Sequence, residues 1–163
     1  MRRQNQNLWL QWAAALTVAA ALMHVLMLLG GPEWYRWFGA GERMVTMAAQ
    51  GHWFPPVLTS MITLVLFSWA AYAWSGAGMM CRLPAISAAL ALVSLVFYLR
   101  ALAGLWLVHA PPSVDPYFIE LQQRPLFLWG SSLYCLVLAT CYSMGLLKLR
   151  RSMQRTRWNQ LSG

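Results

Sequence analysis

AALMHVLMLLGGPEWYRWFGAGERMVTMAAQGHWF, residues 20–54, decides how the rest of the chain reads. It leaves an apolar run at Gly30-Gly31-Pro32 and enters a belt of Trp34, Tyr35, Trp37 and Phe38 set around Arg36. It contains Glu33 and Glu42, two of the chain's four acids, and His24 and His52, two of its three histidines. Glycine frees the backbone and proline cannot continue a helical ladder, so the break ends one helix. Amphipathic aromatic rings collect at the headgroup level of a bilayer. The stretch therefore reads as the top of a membrane helix turning into a polar cap at the membrane surface. Residues 42–50 read as a short helix lying on that surface, stopped by Gly51.

Working outward, the apolar run behind this stretch covers residues 8–29 without a charge. At 1.5 Å per residue it reaches roughly 33 Å, enough to cross a hydrocarbon core of about 30 Å. The apolar region of a cleaved signal peptide is only about 7–15 residues long, so this run reads as an uncleaved first span. Three more spans follow, at 57–74, 84–108 and 125–147. Pro55 and Pro56 open the second, where a missing N–H costs nothing. Asp115-Pro116 predicts a second short surface helix through Gln122. Residues 148–163 form a basic tail. The expected fold is all-α, a single transmembrane domain: a membrane four-helix bundle with two short interfacial helices on one side.

Composition agrees with that reading. Of 163 residues, 60% are hydrophobic and 10% charged, against roughly 25% charged in soluble domains. A water-soluble fold of this size cannot hide so much apolar surface, whereas lipid-facing side chains need no burial in protein. The net charge of +8 is not a nucleic-acid signature, because it is distributed by membrane side. With four spans, Arg2, Arg3, Arg82, Lys148, Arg150, Arg151, Arg155 and Arg157 share one side, and Arg36, Arg43 and Arg124 the other. Cytoplasmic connections carry the Lys/Arg excess, which places both termini in the cytoplasm. Glu33, Glu42, Asp115, Glu120, His52 and His109 then fall on the outer side.

Within the spans, Arg100 is the strongest polar signal. A charged group at the bilayer centre costs about 2.5–3.5 kcal/mol on insertion scales and usually faces a partner. Arg100 lies roughly 13 Å below His109, and His24 roughly 10 Å below Gly31. His24 continues a face of small residues, Ala13, Thr17, Ala20 and Ala21, of the kind that lets membrane helices approach closely. Since no span contains an acid, the counter-charge of Arg100 is expected from the outer connections. The candidate polar pocket is thus His24, Glu33, Glu42 and Arg100, with Glu33 the first choice of partner and Glu42 the second.

Other chemistries find less support. A rim metal site would draw on His52, His109, Asp115 and Glu120, but no close ligand spacing links them. Bis-histidine haem ligation would need two imidazoles at one depth, and His24 is deeper than His52 and His109. Cys135 and Cys141 lie on different helix faces and Cys81 on the inner side, which removes a thiol–quinone couple. A proton-coupled exchanger would carry an embedded carboxylate. No cofactor is expected, and no catalytic residue stands out. The leading function is a non-enzymatic integral membrane protein, a binding or accessory subunit with a polar site on the outer side. The alternatives are a small transporter or channel-like oligomer, and a haem- or metal-dependent redox protein. Expected partners are the bilayer, anionic lipids at Lys148, Arg150, Arg151, Arg155 and Arg157, and a membrane-protein partner or second copy.

The run GGPEWYRWFGAGE (30–42), followed by SGAG (75–78), RLP (82–84) and the span bearing Arg100, resembles a group of small four-span bacterial inner-membrane proteins with no known activity. The resemblance implies a bacterial origin and inner-membrane placement. It transfers no functional residue.

Overall fold

The computed structural model describes residues 7–111, 118, 119 and 122–161, without the side chains of 156, 157 and 159–161. Six helices account for nearly all of them: α1 (Leu8–Gly30), α2 (Pro32–Trp37), α3 (Glu42–Ala49), α4 (Phe54–Gly76), α5 (Ile86–His109) and α6 (Pro125–Leu161). Four of these, α1, α4, α5 and most of α6, are long and apolar enough to cross a membrane. With no water in hydrocarbon, every backbone N–H and C=O must be paired within its own segment, and helices satisfy that condition.

The spans lie close to their expected places, with three differences. Gly31, at φ 69° and ψ −157°, ends α1, and Pro32 then opens α2, so the stretch 33–50, expected to be mostly helical, forms two short helices rather than the one over 42–50. Ala85 takes a left-handed conformation (φ 50°), so α5 starts at Ile86 rather than at Pro84. The largest departure is α6, which runs for 37 residues and carries the basic tail as continuous helix. The apolar stretch ends near Leu147, but no glycine or proline occurs between 146 and 161, so nothing in the backbone obliges the helix to stop there. The helix expected over 115–122 falls mostly outside the described residues.

In the bundle, α1 packs mainly on α4 and α5 mainly on α6, and α1 also meets α6. Lipid tails are as apolar as leucine, so association relies on close packing and interhelical hydrogen bonds. Ala13, Ala14, Thr17 and Ala21 of α1 and Ala70 and Ala73 of α4 are fully buried. They form the small-residue seam the sequence suggested for α1. Leu10 seats in a notch made by Gly76 and Gly145, where a β-carbon at either position would meet its side chain. At mid-bundle, the Tyr142 hydroxyl lies 3.0 Å from Thr17 Oγ1 and donates to the Trp69 carbonyl at 3.1 Å, while its ring stacks on Phe97 with centroids 6.0 Å apart. This one side chain of α6 touches each of the other three long helices. Tyr134 Oη donates to the Leu16 carbonyl at 2.6 Å, and Ser94 Oγ to the Ala139 carbonyl at 3.1 Å.

Candidate functional site

The polar groups gather where α1 ends and α4 and α6 begin. A small second core of Met27, Tyr35 and Val45, bordered by Phe38, Ala40 and Ala48, seats α2 and α3 on the bundle. Tyr35 is the pin: it is buried, and its hydroxyl donates to Thr59 Oγ1 of α4 at 3.1 Å. Gly39, at φ 68°, turns the chain between α2 and α3 beneath the Phe127 ring, where a side chain would collide. Packing thus fixes the cap before any charge is considered.

On that platform Arg36 joins both described acids. Its Nη1 donates to Glu33 Oε1 at 2.7 Å, its Nη2 to Glu42 Oε1 at 3.0 Å and its Nε to Glu42 Oε2 at 3.4 Å. Arg124, at the threshold of α6, donates from Nη1 to the Arg36 carbonyl at 2.7 Å. Glu33 and Glu42 each stand in the first turn of their helix, where a negative charge complements the dipole. The hydrogen bond from Arg36 holds the Glu42 carboxyl below the usual carboxylate range, and the charges of Arg36 and Arg124 add to it. The bonds to Glu42 and Glu33 raise Arg36 in turn. The two acids are exposed, 70% for Glu33 and 56% for Glu42, and Arg36 is partly so, at 41%. The network is therefore salt-screened and orients more than it stabilises. Beside it, a shallow depression of about 270 Å³ is lined by Glu33, Trp34, Trp37 and Phe38. Trp37 is 80% exposed.

The pH response of this network follows from its sign. A carboxyl held below its unfolded value stabilises the fold above that unfolded value, and loses the contribution as pH falls through the folded value. The seating of α3 should therefore be complete at neutral pH and loosen in acid. Amide hydrogen exchange in α3, corrected for intrinsic rates, should stay level from about pH 7 to about pH 5 and rise as pH falls below about 4.3, the unfolded value. Glu42→Gln should remove most of that dependence, and an unchanged profile in this variant would exclude Glu42 as its source.

The expected pocket does not assemble as foreseen. Glu33 and Glu42 bond Arg36, not Arg100, and no carboxylate among the described residues bonds Arg100. The reason is local. Arg36 is three residues from Glu33 and six from Glu42 at the membrane surface, whereas pairing with Arg100 would draw a carboxylate into hydrocarbon at considerable cost. Arg100 is exposed on α5. His24 is half-buried on α1, with Nδ1 2.8 Å from the Ala20 carbonyl of its own helix. His52 Nδ1 accepts from the Phe54 amide at 3.2 Å, and His109 meets the Trp129 ring edge-on at 5.8 Å. Asp115 and Glu120 lie outside the described residues, and no group of three His, Cys, Asp or Glu among the described residues is placed to hold a metal ion. Lys148, Arg150, Arg151 and Arg155 are exposed along α6, and the side chain of Arg157 lies outside the described residues. Sequence reasoning missed Arg36 as the hub of the cap. The signal was available in the i,i+3 spacing of Glu33 and Arg36, once 32–37 is taken as helix.

Comparison with protein-family models, with curated proteins and with solved structures finds no match for this chain.

Proposed function

We propose that this chain is an integral protein of a bacterial inner membrane that works without catalysis, as a binding or accessory subunit presenting its cap to the periplasm. The observation that carries this reading is the cap itself. Arg36, Glu33, Glu42 and Arg124 are held in fixed geometry on a packed platform, beside an exposed tryptophan and an open depression. Aromatic and arginine side chains of this kind anchor protein interfaces. At the opposite end, exposed Lys148, Arg150, Arg151 and Arg155 support a cytoplasmic assignment. They also support contact with anionic lipid, at about 1 kcal/mol per basic residue near the surface.

Two measurements test the reading. Periplasm-dependent reporters fused at Gly41 and Ser113 should be active, and a fusion after α6 silent; the reverse pattern would overturn the orientation. A photo-crosslinking residue in place of Trp37 should give one discrete adduct in native membranes, and the same residue at exposed Leu64 of α4 should not. If the two positions behave alike, the cap is not a binding surface.

A further inference from the structure

Arg100 offers a second site, independent of the cap and of which side the cap faces. Three observations converge on Gly104, one turn above Arg100 on α5. The Arg100 Nη1 lies 3.0 Å from the place a β-carbon on Gly104 would take, and Ser132 Oγ of α6 lies 2.1 Å from it. Ser132 is fully buried, and its Oγ has no hydrogen-bond partner among the described residues. Its neighbour Ser131 bonds the Leu128 carbonyl. Ser132 therefore presents an unused polar group to the arginine, in the crease between α5 and α6.

Depth and surroundings select the ligand. The guanidinium has turned toward the cap end of α5, where Gly104 lies five residues, roughly 7 Å, below His109. A 24-residue helix of about 36 Å overhangs a hydrocarbon core of about 30 Å by roughly 3 Å at each end. The charge thus lies roughly 5 Å inside the hydrocarbon edge, within reach of a phosphate that dips from the headgroup layer. The flanking surface is apolar and exposed, with Leu99 57% and Leu133 61% accessible. That surface suits acyl chains. A second copy of this chain has no carboxylate to offer at this depth, because none of the four long helices contains Asp or Glu.

We propose that Arg100, lying over Gly104 beside the unpartnered Ser132 Oγ, binds the phosphate of a phospholipid in the leaflet at the cap end. On binding, a turn of the guanidinium brings one N–H onto Ser132 Oγ, which has no partner in the structure. The remaining donors face outward, where paired N–H groups match phosphate oxygens. The acyl chains lie along Leu99 and Leu133. Arg100 supplies the recognition, and Ser132 acts only by positioning it.

Native mass spectrometry of the full chain in detergent tests this with three probes: phosphatidylcholine, diacylglycerol with the same acyl chains, and inorganic phosphate. Phosphatidylcholine is chosen because the basic tail does not select it by charge. The wild-type protein should retain phosphatidylcholine about tenfold better than Arg100→Gln, as expected for loss of a charged hydrogen-bonding group. Ser132→Ala should fall between the two. Equal retention by wild type and a folded Arg100→Gln would overturn the proposal. Should that variant fail to fold, the wild type alone decides, since it should hold phosphatidylcholine and release diacylglycerol. Equal retention of both lipids would remove phosphate recognition. Displacement of the lipid by millimolar inorganic phosphate would make the site one for a free anion and overturn the lipid assignment. A co-purifying membrane helix whose carboxylate crosslinks to Arg100 would overturn it as well.

Discussion

Tyr142→Ala should cost this protein about 3 kcal/mol of stability, at the lower end of the range for truncating a large buried aromatic. The lower end applies because the unfolded helices also sit in lipid, so little transfer energy is lost and the cavity dominates. Tyr142 of α6 is fully buried and reaches Thr17 of α1, the Trp69 carbonyl of α4 and the Phe97 ring of α5. Removing its ring leaves Phe97 without its stacking partner and opens a void in the seam. Tyr142→Phe separates the two contributions. It keeps the ring and loses the bonds to Thr17 and the Trp69 carbonyl, so it should cost nearer 0.6 kcal/mol per bond, about the mean for hydrogen bonds inside a membrane bundle. Reversible unfolding in mixed detergent micelles reads both values. If the phenylalanine variant were as unstable as the alanine variant, the hydroxyl rather than the ring would hold the helices together.

Gly145→Leu should be nearly as damaging, for the opposite reason. A β-carbon at Gly145 would lie 2.5 Å from Leu10 Cγ and 3.3 Å from the Leu10 backbone nitrogen. The first obstacle is the branch point of a side chain wedged in a notch, and the second is main chain, so neither can move aside cheaply. Overpacking of this kind costs about 1–3 kcal/mol. The shift of α1 would also strain the bond from Asn7 Nδ2 to the Gly145 carbonyl, 2.7 Å long. Gly130 supplies the internal control, since a β-carbon there would meet nothing within 4 Å. Gly130→Ala should be neutral or stabilising by up to about 1 kcal/mol, through helix propensity alone. Parallel losses at both glycines would show that α6 tolerates no added side chain, and would refute the notch as the cause.

Much of the fold was legible because the bilayer imposes simple terms. An uninterrupted apolar run such as 8–29 can satisfy its backbone in hydrocarbon only as a helix, and Gly31-Pro32 and Pro55-Pro56 mark where two of the helices turn. The cap was partly legible. Its acids, its aromatic belt and the helix over 42–49 follow from local pattern. The continuation of α6 beyond Leu147 was missed because loss of hydropathy was read as loss of helix. A polar helix needs only the absence of breakers, and residues 146–161 contain none.

The sequence by itself determined how many helices are long and apolar enough to cross a membrane, roughly where each begins, and that the Lys/Arg excess lies at one end, because these depend on residue type along the chain. Only the tertiary structure decided that Arg36 rather than Arg100 takes Glu33 and Glu42. It alone set α1 against α4 and α5 against α6, and brought the buried Ser132 beneath Arg100. Those outcomes depend on which faces of the helices meet and at what height. Because the apolar stretches of the four long helices are almost uniform around their circumference, no hydrophobic period marks the inward face. A few glycines, alanines and hydroxyls settle the matter by letting backbones approach at particular points, and their effect exists only when two helices are brought together.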